Sequence, residues 1–417
     1  MTGVARRSAV VALCSAALLA AVAPAASAAS AAGTPPADPG ALPVIVQNRG
    51  AAGTGRSDGC VKPSDRNTER TPWAQTFLRP ESAWQLSRGA GVTVAVLGSG
   101  VDPASGALDG RLTPGPREYG PGDSARDCVG HGTFLAGLVA ARRQDGIGFA
   151  GLAPEARILA VAVTDDVGTT TPALLAKGIR DAADGGARVI AVGVPVATAD
   201  EALAAAVHYA DGKGALVIAP AAFDPGNPSA GGPAGGPVYP AALPEVLAVS
   251  DLAPNGSPPA GGPDGGRIDL VAPGDAVLSV GPGGKGHFTA AGPSYATAVV
   301  AGTAALVLGY RPDLTPAQLR ERLTATAYHP GTALPDPHVG YGTVDPLTAL
   351  STPLPGDPPS PTTPTVPPLQ PPPPDPALHQ ATTLAAATLA IVTLTLGTAA
   401  LIGAARRRDW RPGRWQA

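Results

Sequence analysis

Residues 296–308 are almost all Ala, Val, Gly and Leu. At helical spacing such a run is apolar on every side, so the helix it forms has no face for water and must lie inside a large domain. The chain can supply that interior, because 44% of its 417 residues are hydrophobic; a net charge of −3 carries no nucleic-acid signature. Just before the run, residues 291–302 read AGPSYATAVVAG, which sets Ser294 in the first helical turn. In one reading a serine there is an ordinary helix cap. In the other it is a nucleophile, because free N–H groups and the positive end of the helix converge on it and favour negative charge growing on a substrate carbonyl.

The segment Asp127-Cys128-Val129-Gly130-His131-Gly132-Thr133 favours the second reading, since it offers a histidine to accept the serine's proton. The two motifs together resemble those of subtilisin-family serine proteases, in which G-T-S-x-A-x-P carries the nucleophile and H-G-T the base. The finer resemblance is to mycosins, the membrane-anchored subtilases of actinobacterial type VII secretion. There an N-terminal cysteine, a D-C-x-G-H-G-T segment, a proline-rich linker and a C-terminal membrane helix occur in this order. The resemblance spans roughly residue 44 to the C-terminus. It implies a subtilisin-like α/β fold, a doubly wound parallel sheet with helices on both faces. It also implies Ser294 as nucleophile, with its backbone N–H as half of the oxyanion hole, and His131 as general base. A peptide or protein substrate or ligand and a type VII secretion membrane complex are the implied partners. No cofactor and no metal site are expected.

Residues 1–28 carry Arg6 and Arg7, then an apolar stretch, then Ala26-Ser27-Ala28, the order of a secretory signal peptide. Cys14 leaves with it, so Cys60 and Cys128 remain in an oxidising compartment, and an even pair implies one disulfide, as the family pairs cysteines in these segments. Residues 29–59 are rich in Ala, Pro and Gly and are expected to form an extended arm, with ordered structure beginning near Cys60 and a peptidase domain over 60–350. Within it, residues 73–80 and 82–84 resemble the short helix that precedes the first strand in mycosins, apolar runs predict strands at 91–97, 189–194 and 215–219 and a loop followed by a strand over 151–163, residues 245–250 and 268–274 resemble the remaining subtilase strands, and helical patterns fall at 132–141, 172–183 and 200–211. Such alternation predicts a doubly wound parallel sheet. Residues 351–380 are a stiff proline-rich linker. Residues 381–405 contain no charge and are long enough to cross a hydrocarbon core of about 30 Å. The arginines of the basic tail 406–417 predict a cytoplasmic C-terminus and an extracytoplasmic domain.

Three positions depart from the family pattern. The first strand of subtilases ends V-A-V-I-D-[ST]-G-V with the triad aspartate, whereas this chain reads Val94-Ala95-Val96-Leu97-Gly98-Ser99-Gly100-Val101, with Gly98 at that position. The I-N-x-S strand has Ala191 at its asparagine position. The A-A-G-N segment, whose asparagine completes the oxyanion hole, corresponds to the reading Ala219-Pro220-Ala221-Ala222-Phe223, with Phe223 at the asparagine. Ser99, Asp102, Asp109 and Asp127 are the nearby candidates to replace the missing carboxylate. The expected protein is a catalytically defective protease homologue with a scaffold or binding role. The alternative is an active serine endopeptidase with a substitute third residue.

Overall fold

The computed structural model of the chain describes residues 42–46, 60–225, 236–258, 266–355 and 376–407. The expected signal peptide with Cys14, most of the arm, most of the linker and most of the basic tail lie outside the described residues.

Helices α1 (Trp73–Leu78) and α2 (Pro80–Ala83) lead into β1 (Thr93–Gly98), β2 (Leu112–Arg117), α3 (His131–Ala140), β3 (Arg157–Ala162), α4 (Pro172–Asp184), β4 (Val189–Val192), α5 (Glu201–Gly212), β5 (Leu216–Pro220), β6 (Leu247–Leu252) and β7 (Leu270–Pro273). The chain continues through β8 (Val277–Val280), β9 (His287–Ala290), α6 (Pro293–Tyr310), α7 (Pro316–Ala325), α8 (Pro346–Ser351) and α9 (Pro376–Arg407). Strands β1 to β7 form one sheet in the order β2-β3-β1-β4-β5-β6-β7, parallel at every pairing. A parallel sheet is covered on both faces, which is why its strands are continuous apolar runs. Alternation along β1 separates two cores: Val94 and Val96 pack with residues of α3 and α6, and Ala95 and Leu97 with residues of α4 and α5.

From β1 the chain moves to β2 and returns to β3 on one side, whereas β4 and β5 build the sheet on the other side. The order therefore reverses at the C-terminal ends of β1 and β4, where doubly wound sheets leave a crevice. Gly98 ends β1 there.

Helix α6 is the buried helix of the opening argument, with residues 293–308 shielded from solvent. It and the C-terminal helix are both long and apolar enough to cross a membrane, but the apolar window of α6 is 89% buried while that of residues 383–407, of mean hydropathy 2.0, is 0% buried. Burial decides between them: α6 is core, and α9 is the candidate membrane span. Helix α9 starts at Pro376, inside the stretch expected as linker, because a proline is tolerated at the first turn, where its missing N–H costs nothing.

The arm is less detached than its composition predicts. Ile45 donates to the Thr289 carbonyl (2.8 Å), Thr289 donates back to the Pro43 carbonyl (2.9 Å), and Ile45 is buried. Val44-Ile45-Val46 is a β-branched triplet that suits pairing along the open edge of β9. Cys60 and Cys128 are joined as a disulfide with Cα atoms 4.4 Å apart, which fastens the residues after the arm to the segment that ends at His131.

Candidate active site

Two helix N-termini meet in the crevice. Helix α3 begins at His131, and its first turn is capped by Asp127. Oδ1 of that carboxyl accepts from Gly130 N (2.7 Å) and Ser99 Oγ (2.8 Å), and Oδ2 accepts from Thr133 N (2.8 Å) and Thr133 Oγ1 (2.6 Å). Burial pushes the Asp127 carboxyl up, and these four hydrogen bonds pull the other way. Local chain geometry makes the cap possible, since Asp127 lies three and six residues before the amides it binds. Behind the histidine, Tyr295 packs edge-on against the imidazole with ring centroids 5.2 Å apart, and Phe134 against Tyr295 at 5.0 Å.

Helix α6 begins at Pro293, so Ser294 is its second residue and its Oγ projects at the mouth of the buried helix. His131 Nε2 and Ser294 Oγ lie 2.9 Å apart, and both side chains are buried. The two motifs separated by 163 residues in sequence therefore form one hydrogen-bonded pair.

A third side chain completes the group, and it is not Phe223. Asp224 Oδ1 accepts from the Ser294 backbone N–H (2.9 Å), and Asp224 Oδ2 accepts from Ser294 Oγ in a short hydrogen bond and stands 3.4 Å from His131 Nε2. The register that put Phe223 against the serine is thus corrected by one residue. The Ala-rich run 219–222 allows two alignments of A-A-G-N, and the one that fits the structure sets Ala221-Ala222-Phe223-Asp224 on it, with Asp224 last. Phe223 is half-buried and Asp224 fully buried. Asp is nearly the shape of Asn, so polarity and size at position 224 were the signal in the sequence. Gly292 makes room for this carboxyl: its φ is 144°, and a Cβ there would run into Asp224 Oδ1.

The opposite side of His131 is bare. Among the described residues its Nδ1 has no hydrogen-bond partner. A Cβ built on Gly98 would lie 3.8 Å from that atom, so position 98 faces Nδ1. The substitutes weighed from sequence are occupied elsewhere. Ser99 serves Asp127 and Gly132 N (3.0 Å), Asp102 accepts from Ala104 N and Gly283 N (both 2.8 Å), and Asp109 faces Arg142 (3.5 Å). Ala191 is buried within β4, paired with Val96 and Ile218.

The two ring nitrogens of His131 have different surroundings. A buried N–H needs an acceptor; acceptors stand at 2.9 and 3.4 Å from Nε2 and none at Nδ1. Ser294 Oγ and the Asp224 carboxyl therefore both lie on the Nε2 side of the ring, and the serine hydroxyl donates to Asp224.

Beneath Asp224 lies Asp251, near the end of β6, a buried carboxyl pushed up to about 6 by burial first and then by the neighbouring Asp224 and Asp275 carboxylates. Sequence reading overlooked it, because in the run Leu247–Leu252 it reads as an ordinary strand end. No group of three or more His, Cys, Asp or Glu side chains able to hold a metal ion occurs among the described residues.

Comparison with known proteins shows the family of the chain and its fold. The subtilase family model matches residues 89–342. Mycosin-1 of Mycolicibacterium smegmatis is 33% identical over 348 residues, covering 72% of this chain and 76% of that protein. Among solved structures, MycP1 from the ESX-1 type VII secretion system superposes with a TM-score of 0.61 at 31% identity, covering 73% of this chain and 92% of that one. A chain of an intact ESX-5 inner membrane complex does so with a TM-score of 0.61 at 30% identity, covering 82% and 94%.

Proposed function

The chain belongs to the subtilase family, and from that premise we propose that it is a mycosin-like subtilase of a type VII secretion system, anchored in the membrane, whose cleft binds a peptide or partner protein instead of hydrolysing it. The observation that carries this reading is the Asp224 carboxyl on both the N–H and the Oγ of Ser294. In an acyl-transfer site the serine N–H receives the oxyanion of the tetrahedral intermediate, helped by a donor side chain. Here an acceptor takes that N–H itself. A carboxylate beside a growing oxyanion is repulsive, so the group opposes the transition state that the family's asparagine favours.

Magnitudes support a near-silent enzyme. In subtilisin, loss of the triad aspartate alone costs about 3 × 10⁴ in turnover, and loss of the oxyanion asparagine costs roughly 10² to 10³. The first loss alone brings a typical turnover of about 10 per second to roughly 30 per day, and full addition of the second brings it below roughly one per day. The second reading, a working endopeptidase, draws on the intact 2.9 Å pair of Ser294 and His131. It needs Asp224 to swing off Ser294 and another group to orient the ring.

The rest of the proposal concerns topology and assembly. Residues 1–28 direct export, 60–350 form the extracytoplasmic domain, the exposed apolar helix within 381–405 anchors it, and the arginines after it hold 406–417 in the cytoplasm. The likeness to chains of ESX assemblies supports a place in such a complex. Two experiments test the proposal. The purified full-length protein should hydrolyse peptide substrates no faster than its Ser294→Ala variant, and clearly faster hydrolysis would sink the binding role. In cells, protease added outside should remove the domain while sparing a C-terminal tag; loss of the tag would overturn the orientation.

A further inference from the structure

Between the disulfide at Cys60 and helix α1, residues 62–71 form a strap that reads KPSDRNTERT, and of these residues only Ser64 is buried. With so little apolar surface, the strap is held on the β8–β9 hairpin mainly by hydrogen bonds. His287 N donates to the Arg66 carbonyl (2.7 Å), and Gly148 N donates to the Thr68 carbonyl (3.2 Å). The contact is close, since a Cβ on Gly286 would run into the Ser64 carbonyl oxygen. The Thr68 N–H donates to Nδ1 of the His287 imidazole (3.2 Å). A backbone amide has no lone pair to offer, so this bond requires a bare Nδ1 and a neutral ring. His287 is buried, with Phe149 edge-on at 5.9 Å, and burial holds its pKa below the usual imidazole value.

We infer that His287 is a proton-sensitive latch for this strap, closed while the imidazole is neutral and released when Nδ1 takes a proton. Protonation turns the acceptor into a donor that faces the Thr68 N–H, and it places a charge in a buried site. The surrounding segments supply no buried counter-ion. Lys62, Asp65, Arg66, Glu69 and Arg70 of the strap are exposed, as are Lys285 of the hairpin turn and Arg143 and Asp145 of the loop before Phe149. Asp102 is half-buried and accepts from Gly283 N of the turn and from Ala104 N. Residues 42–46, β8 and the rest of β9 carry no titratable side chain. With the strap off, the ring meets water and titrates at about 6.5. Above that value the ring is neutral in both forms; below it the released form gains a proton that the closed form refuses, so falling pH favours release. Cys60 and α1 hold the two ends, which keeps the opening local. Glu69 and Thr71 at the end of the strap wall a cavity of about 410 Å³ with Gln75, Trp84, Arg143 and Phe149, and release widens it. The latch is independent of how the Ser294 site is read.

The test is amide hydrogen exchange of the full-length protein in detergent micelles, read by mass spectrometry between about pH 5 and pH 8 and corrected for the intrinsic pH dependence of exchange. Peptides covering residues 64–71 should keep constant protection above about pH 7 and lose about tenfold per pH unit below about 6.5. Peptides from α6 should stay protected throughout. In His287→Asn the side-chain oxygen replaces Nδ1 as an acceptor that does not titrate in this range, so the strap should remain protected at every pH. Strap protection that ignores pH in the unaltered protein would overturn the latch, and that series decides even if the variant fails to fold. Loss in step with α6, which signals global unfolding, or an equal acid loss in His287→Asn, would overturn it too.

Discussion

The N-termini of α3 and α6 carry the same electrostatic device with opposite outcomes. Each helix presents a polar residue at the crevice, and at each an aspartate accepts from the first free amides. At α3 the acceptor is Asp127, a few residues upstream; it binds amides and hydroxyls and leaves the His131 ring untouched. At α6 the acceptor is Asp224, 70 residues away, and it binds both the amide and the hydroxyl of Ser294. A carboxyl at a helix start stabilises that helix wherever it comes from. Whether it also binds the side chain that the helix presents to the crevice depends on its position, and only the distant one does.

The largest effect expected from breaking this contrast is on turnover. Asp224→Asn returns a donor to the Ser294 mouth, and Gly98→Asp gives His131 Nδ1 an acceptor at a position where a Cβ meets only ordinary contacts. The double variant should raise Ser294-dependent peptide hydrolysis by about 10² or more over either single change, because orientation of the base and stabilisation of the oxyanion serve the same step. A double variant that folds by circular dichroism yet shows no gain would mean the cleft has diverged beyond these two positions.

Next in size is the covalent tie that α3 has and α6 lacks. The Cys60–Cys128 disulfide closes a loop with a sequence separation of 68. In the chain-entropy account its removal in the Cys60→Ser, Cys128→Ser protein costs about 4 kcal/mol, read as a lower urea midpoint. An unchanged midpoint would show that the hydrogen bonds of Asp127 alone hold the start of α3.

Asp127→Ala should cost about 3 kcal/mol or more, since it strands the amides of Gly130 and Thr133, the buried Thr133 hydroxyl and the half-buried Ser99 hydroxyl. Asp224→Ala, which strands one amide and one hydroxyl, should cost clearly less. Equal losses in denaturant titrations would erase the distinction between the two caps.

The smallest effect is on pH dependence at the α6 end. An unfolded aspartate titrates at about 3.9, while Asp251 is pushed up to about 6 in the fold. Between those values the folded state holds a proton that the unfolded chain has released, so this group's contribution is fully present at low pH and is lost as pH rises through about 6. Asp251→Asn should therefore leave stability at pH 4 nearly unchanged and raise it above pH 7 by up to about 3 kcal/mol. In an Asp224→Asn background the gain should shrink, because one of the repelling carboxylates is gone. A gain independent of pH would assign the effect to packing.

Much of the frame was legible before any coordinates. The apolar runs that became β1, β4, β5, β6 and β7 lie within two residues of where the sequence and its family resemblance set them, and so does α3, while β3 falls inside the loop-then-strand segment 151–163, because a strand buried on both faces and a helix buried all round leave no room for polar residues. Short elements such as β2, the β8–β9 hairpin and α8 were not read. Leu112–Arg117 contains two prolines and is not an apolar run, and the hairpin strands and α8 are too brief to carry a period. Docking of Val44 and Ile45 on β9 was hidden by the Ala- and Pro-rich arm around them.

The site divides along the same line. Sequence alone determined the serine at the head of a buried helix, the histidine in its motif, the glycine ending the first strand and the cysteine pair, since each is a local pattern or a count. Only the tertiary structure decided that Asp224 rather than Phe223 closes on Ser294, that the nearby aspartates are spent elsewhere, and that one imidazole nitrogen is crowded and the other bare. Those are facts about which side chains meet across the ends of a sheet. A one-residue shift in an alanine-rich turn changes hardly any pattern along the chain, yet it exchanges a half-buried ring for a buried charge at the reacting atom.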